Sequence, residues 1–321
     1  MPRVDMADLE SRLVWIFGSP RTGSTWLLEL LANPLILEAR DPLGYRVPGE
    51  HTEPIDVIPI NESLLPAHLA PPQPEDAAAR ERPWIRTHHA TFGDLAPYFF
   101  SNHFDDVWRP AVRDLAHARF GAHAERAVAR NRVSEDARVV IKEPNGSHAA
   151  PLIFSLLPES RLIFLYRDGR DVVDSQLALS GPGGLTARWR GVTIETPDDR
   201  LQLVREESLN WVARMNATEE AYRERPPELR FRLAYEDLLA EPAANLSALW
   251  EWLGLQRDPG ALAAAVEAHG FSTEARSKTG AAGTRRAASP GLWRENLTEE
   301  ESALARELMG EKLAGLGYLD E

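Results

Sequence analysis

The sequence predicts an α/β fold with a mainly parallel central sheet, and three observations carry that prediction. Short, mainly apolar runs of strand length recur along the chain, at 13–17, 137–141 and 161–166. Segments of helical periodicity alternate with them. The residues with evident chemistry, Gly18 to Thr25, His88, Lys142 and Arg167, each follow a predicted strand. In an open parallel sheet the carboxyl ends of the strands are where ligands gather.

Each element has its own justification. "LVWIF", residues 13–17, is wholly apolar and stops at Gly18, as a buried strand does. In "TWLLELLAN", Trp26, Leu27, Leu30 and Leu31 fall on helical spacing, so a helix starts at Gly23 and stops near Asn33-Pro34. Residues 47–59 read as loop with one short strand. Residues 66–83 are Pro-rich and charged and predict a mobile surface segment. "PWIRTHH" predicts a strand, and 92–132 a largely helical stretch. "ARVVIKEP" (137–144) is a strand followed by a helix in "GSHAAPLIFSLLP". "RLIFLYRD" (161–168) is a further strand, and "GRDVVDSQLAL" opens a helix. A long amphipathic helix covers roughly 198–223. "LRFRLAYEDLL" is a strand running into a turn, and "AANLSALWEWLGL" a helix closed by Gly254. Thr298 and Glu301 form a capping box at the start of the last helix. No internal repeat occurs.

Composition narrows the function classes. The 321 residues suit two domains, or one α/β domain with insertions. A net charge of −13 argues against a broad basic face for nucleic acid. The absence of cysteine excludes disulfides, thiolate metal sites and a cysteine nucleophile. The N-terminus has no apolar signal region ahead of Asp5, Asp8 and Glu10, and no run of about 18 apolar residues occurs. A cytoplasmic protein with no membrane span is the expectation.

Two stretches point to anions. "FGSPRTGST" places two glycines five apart between a strand and a helix, where backbone N–H groups and the helix dipole attract phosphate. A nucleotide-hydrolysing loop of this kind carries a Lys after its second Gly, to hold the β/γ-phosphates. Here Ser24 stands there, and the nearest cation is Arg21. In "YRDGRDVVDS", Arg167 at a strand end and Ser175 in the following helix are spaced to pinch a second phosphate. Arg167 pairing with Asp168, Asp171 or Asp174 is the alternative. Two such sites on neighbouring strand ends suit a nucleotide phosphorylated on its ribose and on its 5′ end.

With these motifs in order, the sequence resembles the sulfotransferase family, which transfers a sulfuryl group from 3′-phosphoadenosine-5′-phosphosulfate (PAPS). "SPRTGSTW" is similar to the family's 5′-phosphosulfate loop and "YRDGRDVVDS" to its 3′-phosphate motif. "AYEDLLAEPAANLSALWEWLGL" is similar to its Tyr-Glu-Asp segment, and "RRAASPGLWRENLT" to the C-terminal loop with its Gly-x-Trp. The resemblance runs from about 13 to 298. "PRTGST", "IKEP" and "RDGR" are closer to the bacterial and tyrosylprotein branch, Trp26 and Leu27 to the cytosolic one. It implies a P-loop-like three-layer sandwich in a single domain over 1–321, with a mobile substrate-side insertion around 45–110. The cytosolic branch's Lys-x3-Thr-Val-x3-Glu dimer motif is not present, which leaves the oligomeric state open.

Carried over, the resemblance implies that Arg21 stabilises the transferring group and that Thr22, Gly23, Ser24 and Thr25 hold the 5′-phosphate. Trp26 and Tyr235 would contact adenine. Arg167 and Ser175 would bind the 3′-phosphate together with Arg286, for which Arg285 and Lys278 are alternatives. Lys142 would approach the reacting centre. PAPS would be co-substrate and 3′-phosphoadenosine-5′-phosphate (PAP) the product, without a metal. The base would be His51 or its neighbour Glu50, from the tyrosylprotein pattern, or His88, from the phenol pattern. The acceptor is a small molecule with a hydroxyl or amine. Segments 45–110 and 176–205, with Phe100, Phe104, Trp108 and Trp189 among their aromatics, would build its pocket; core packing is the other reading of these rings. Two other functions compete. One is a magnesium-dependent kinase of a small alcohol. The other is a nucleotide-binding relative without catalysis.

Overall fold

The computed structural model describes residues 6–32, 37–40, 46–48, 55–61, 63, 65, 100–130, 133–181, 194, 196–255, 259–269 and 290–319. Its strands are β1 (Leu13–Gly18), β2 (Leu37–Arg40), β3 (Arg46–Pro48), β4 (Ile55–Asn61), β5 (Val133–Lys142), β6 (Arg161–Tyr166) and β7 (Arg230–Ala234). The helices are α1 (Met6–Arg12), α2 (Ser24–Ala32), α3 (Asp105–Arg130), α4 (Ala150–Leu156), α5 (Gly169–Ser180) and α6 (Pro197–Glu224). They continue with α7 (Tyr235–Ala240), α8 (Pro242–Leu253), α9 (Pro259–His269), α10 (Trp293–Asn296) and α11 (Glu299–Gly315).

Among the described residues, five strands form one parallel sheet in the order β4-β5-β1-β6-β7, and β2 and β3 form a separate antiparallel pair. The mainly parallel α/β reading therefore holds. The connections lead from β1 to one side of the sheet and later cross to the other, so β1 marks the point where the strand order reverses. Register levels the carboxyl ends: Ile16 lies opposite Lys142 on β5 and Ile163 on β6, and Gly18 opposite Leu165.

Alternation along β1 builds both helical layers. Leu13, Trp15 and Phe17 face one cluster with α3 and α4, where Trp15 stacks on Phe17 (5.6 Å) and meets Phe120 edge-on (5.7 Å). Val14 and Ile16 face the opposite layer, against Leu27 and Leu31 of α2 and Leu249 of α8. Phe164 of β6 joins a third cluster with Val173 of α5, Trp211 of α6 and Met309 of α11. Helices on both faces of one sheet make the three-layer sandwich.

Several boundaries differ from the sequence reading. The short strand expected within 47–59 is β4, which runs two residues further, to Asn61. Pro59 obscures its end, yet β4 is an edge strand, where a missing N–H is tolerated. β5 begins at Val133 rather than at 137, because its first residue pairs with Ile55 of β4. The helix expected from 146 opens as a 3-10 segment, Pro144–Ala149. The turn expected after β7 is a helix, α7, with Glu236 and Asp237 in its first turn. Helices α1 and α9 have no counterpart in the sequence reading. The closure of α8 by Gly254 (φ 72°) and the Thr298–Glu301 capping box are present. Residues 66–83 and "PWIRTHH" lie outside the described residues. No helix among the described residues is long and apolar enough to cross a membrane.

Candidate active site

The site starts from the turn between β1 and α2. The Thr22 backbone N–H and hydroxyl both donate to Ser19 O (3.3 and 2.7 Å), which tightens the turn. Arg21 (φ 74°) and Gly23 (φ 83°) are both left-handed. For an arginine this conformation costs on the order of 1 kcal/mol, so it is held by its surroundings. A Cβ at Gly23 would lie 2.6 Å from Tyr235 Cδ2, so only glycine lets the loop approach that ring. Gly18 has the same requirement: a Cβ there would sit 2.0 Å from Leu165 O of the neighbouring strand. Ser24 is buried and Thr25 exposed in the first turn of α2.

Contacts across the chain assemble the second stretch on this loop. Arg21 Nε donates to Ser175 Oγ of α5 (2.9 Å), and Arg167 Nη1 donates to Arg21 O (3.1 Å). The Arg167 guanidinium lies 4.5 Å above the Tyr235 ring, and Tyr235 meets Trp26 edge-on at 6.0 Å. Arg167 Nη2 is 3.9 Å from Asp171 Oδ2, while Asp168 pairs with Arg170 (2.7 Å). Of the acidic partners considered for Arg167, Asp171 is thus the one it faces. Arg167 Nε is buried and meets no hydrogen-bond acceptor among the described residues. Burial raises the Tyr235 hydroxyl pKa above its ordinary value, an effect that Arg167 partly offsets. Arg21, Gly23, Trp26, Arg167, Ser175 and Tyr235 therefore form one contiguous group.

Lys142 ends β5, buried and level with Ile16, two residues short of Gly18. Glu143 N donates to Ile16 O (3.0 Å) and continues the ladder to the mouth of the loop. Glu50, His51, His88 and Arg286, with Arg285 and Lys278, lie outside the described residues. Of the aromatics expected near an acceptor, Trp108 is core: it is buried, packs edge-on against Phe100 (5.5 Å) and donates Nε1–H to Ser101 O. Phe104 is exposed.

Two residues support the site in ways the sequence does not announce, although Asp171 is there a possible ion-pair partner of Arg167. Ser147 Oγ accepts from Gly18 N (2.9 Å) and donates to Glu143 O (3.3 Å), which ties the first glycine of the loop to the end of β5. Its only sequence signal is its place just after "IKEP". Asp171 Oδ2 accepts from Gly291 N (2.8 Å) and Oδ1 from Trp293 N (3.3 Å), so the Gly-x-Trp segment is pinned to α5. The signal for it is its position four residues after Arg167, one helical turn on.

A left-handed loop, a helix N-terminus and two guanidinium groups lie together at the carboxyl edge of a parallel sheet, and their chemistry suits an anion. Among the described residues, no group of three or more His, Asp and Glu is placed to hold a metal ion.

One family model matches most of the chain. The model described as "Sulfotransferase family" matches residues 14–259. Solved structures similar to this chain include the sulfotransferase domain of the curacin biosynthetic pathway (17% identity, 96% of this chain and 98% of that one, TM-score 0.45). Another is retinol dehydratase in complex with androsterone and inactive cofactor PAP (16%, 94% and 81%, TM-score 0.49). A third is a sulfotransferase from Mycobacterium avium (16%, 96% and 77%, TM-score 0.46). The chain matches no curated protein.

Proposed function

Because the chain belongs to the sulfotransferase family and is an enzyme of sulfuryl transfer, we propose that its donor is PAPS and its acceptor a hydroxyl or amine of a small molecule. The observation that carries this reading is the contact of the two anion-directed stretches, Arg21 Nε on Ser175 Oγ and Arg167 Nη1 on Arg21 O. A ligand with a 5′-phosphosulfate and a 3′-phosphate would span them. Thr22, Gly23, Ser24 and Thr25 would hold the 5′ end, and Arg167, Ser175 and Arg286 the 3′-phosphate. Trp26 and Tyr235 would flank the adenine.

In the reaction, the acceptor atom attacks sulfur in line as the bond from sulfur to the 5′-phosphate oxygen breaks. The electron pair of that bond stays on the phosphate, and Arg21 and Lys142 offset the charge that grows there. The acceptor's proton passes to a base, for which His51, Glu50 and His88 are the candidates. The family, and a loop with Ser24 where a kinase carries lysine, favour this reading over phosphoryl transfer. The chain works as one domain in the cytoplasm, with the 45–110 insertion on the acceptor side.

Thermal-shift titration separates the possibilities. PAP should raise the melting temperature without added metal. A shift by ATP with magnesium and none by PAP would overturn the reading. Incubating cell extract with radiolabelled PAPS and the enzyme, then identifying labelled products by mass spectrometry, would reveal the acceptor.

A further inference from the structure

We infer that Asp171 is a positioning residue for Arg167, and that through it the C-terminal Gly291–Asn296 segment sets how well the site holds a 3′-phosphate. The inference rests on the two-phosphate reading above.

Asp171 lies in the first turn of α5 and is 1% exposed. Its Oδ2 serves two partners at once, accepting from Gly291 N (2.8 Å) and facing Arg167 Nη2 (3.9 Å), while Oδ1 accepts from Trp293 N (3.3 Å). A buried carboxylate is held only by such donors and cations, so none of the three partners can leave without weakening the rest. Arg167 in turn is restrained on its other sides by Arg21 O and the Tyr235 ring. That leaves Nε buried with no acceptor among the described residues. The segment itself is fastened at two further points. Trp293 lies 4.1 Å beneath the Arg170 guanidinium, and Asn296 Nδ2 donates to Asp174 Oδ2 (3.1 Å). The face of α5 that carries Ser175, the partner of Arg21, therefore also carries the anchors of the C-terminal segment.

The test compares PAP with adenosine 5′-phosphate, which lacks the 3′-phosphate, by calorimetry on the full chain and on Asp171→Asn. Asn is nearly isosteric and can still accept one amide. It cannot supply the negative charge, nor accept on both sides. PAP affinity should fall about tenfold in Asp171→Asn, while adenosine 5′-phosphate affinity changes by less than about twofold. Hydrogen exchange of the Gly291 and Trp293 amides should quicken in the same variant. Equal losses for both nucleotides, or an intact preference for PAP, would overturn the positioning role. Wild-type protein that binds PAP no better than adenosine 5′-phosphate would overturn the two-phosphate reading itself. The exchange rates would then show separately whether Asp171 pins the segment. If Asp171→Asn does not fold, Trp293→Phe, which leaves the carboxylate intact, should keep the PAP preference; losing it would place the effect in the ring.

Discussion

Arg21 Nε donates a 2.9 Å hydrogen bond to Ser175 Oγ, joining residues 154 positions apart. The loop after β1 and the helix after β6 are thereby closed into one site. Since Arg167 reaches the Arg21 carbonyl as well, the backbone and side chain of one residue are read by two different elements of the second stretch.

This contact makes Arg21 the first residue to test. Removing a charge-stabilising donor costs about 10²–10³-fold in turnover. Arg21→Ala should therefore lower kcat by that order while PAP affinity falls less than about tenfold. Arg21→Gly suits the left-handed backbone and should show the same loss. Steady-state rates with calorimetry decide it, and equal losses in rate and affinity would make Arg21 a binding residue only.

Gly23→Ala introduces both a left-handed backbone penalty and a collision with Tyr235. Denaturant unfolding should show a loss of about 1–3 kcal/mol. Tyr235→Ala in the same chain removes the collision but not the backbone penalty. With Tyr235→Ala alone as the reference, Gly23→Ala should then cost only the backbone part of that loss.

Ser147→Ala leaves the buried Gly18 N–H without its acceptor. The expected cost is about 1–3 kcal/mol of stability. Urea midpoints check it, and an unchanged midpoint would mean that another acceptor takes over.

The acid limb of stability has a source in α3. Burial first, then Arg119 and Arg126, lower the His123 pKa from 6.5 to about 4. The unfolded chain binds this proton near 6.5 and the folded chain only near 4. Between those values the unfolded state holds more protons, so stability drops as pH falls through the window. His123→Gln should flatten the drop by up to about 1.4 kcal/mol per pH unit. Unfolding curves from pH 7 to 4 measure it.

Much of this was legible in the order of residues. The strand–loop–helix of 13–32 showed itself by apolar runs and glycine punctuation, and the α5 start by Arg167 and the aspartates after it. The end of β4 was obscured because Pro59 reads as a breaker unless the strand is known to lie at an edge. Ser147 was obscured because its role depends on an N–H of another strand.

Hydrophobic period, turn chemistry and capping are local properties, so the α/β class, the two anion-directed stretches and their order can be read along the chain. The two-site reading requires neighbouring strand ends, and the pairing of β1 with β6 supplies them; that Arg21 then meets Ser175 and Arg167 lies over Tyr235 is a property of the folded chain. Tertiary structure also decided that Asp171 serves Arg167 and the C-terminal segment together. Those pairings join distant parts of the chain, and only sheet register and core packing bring such parts within hydrogen-bond reach.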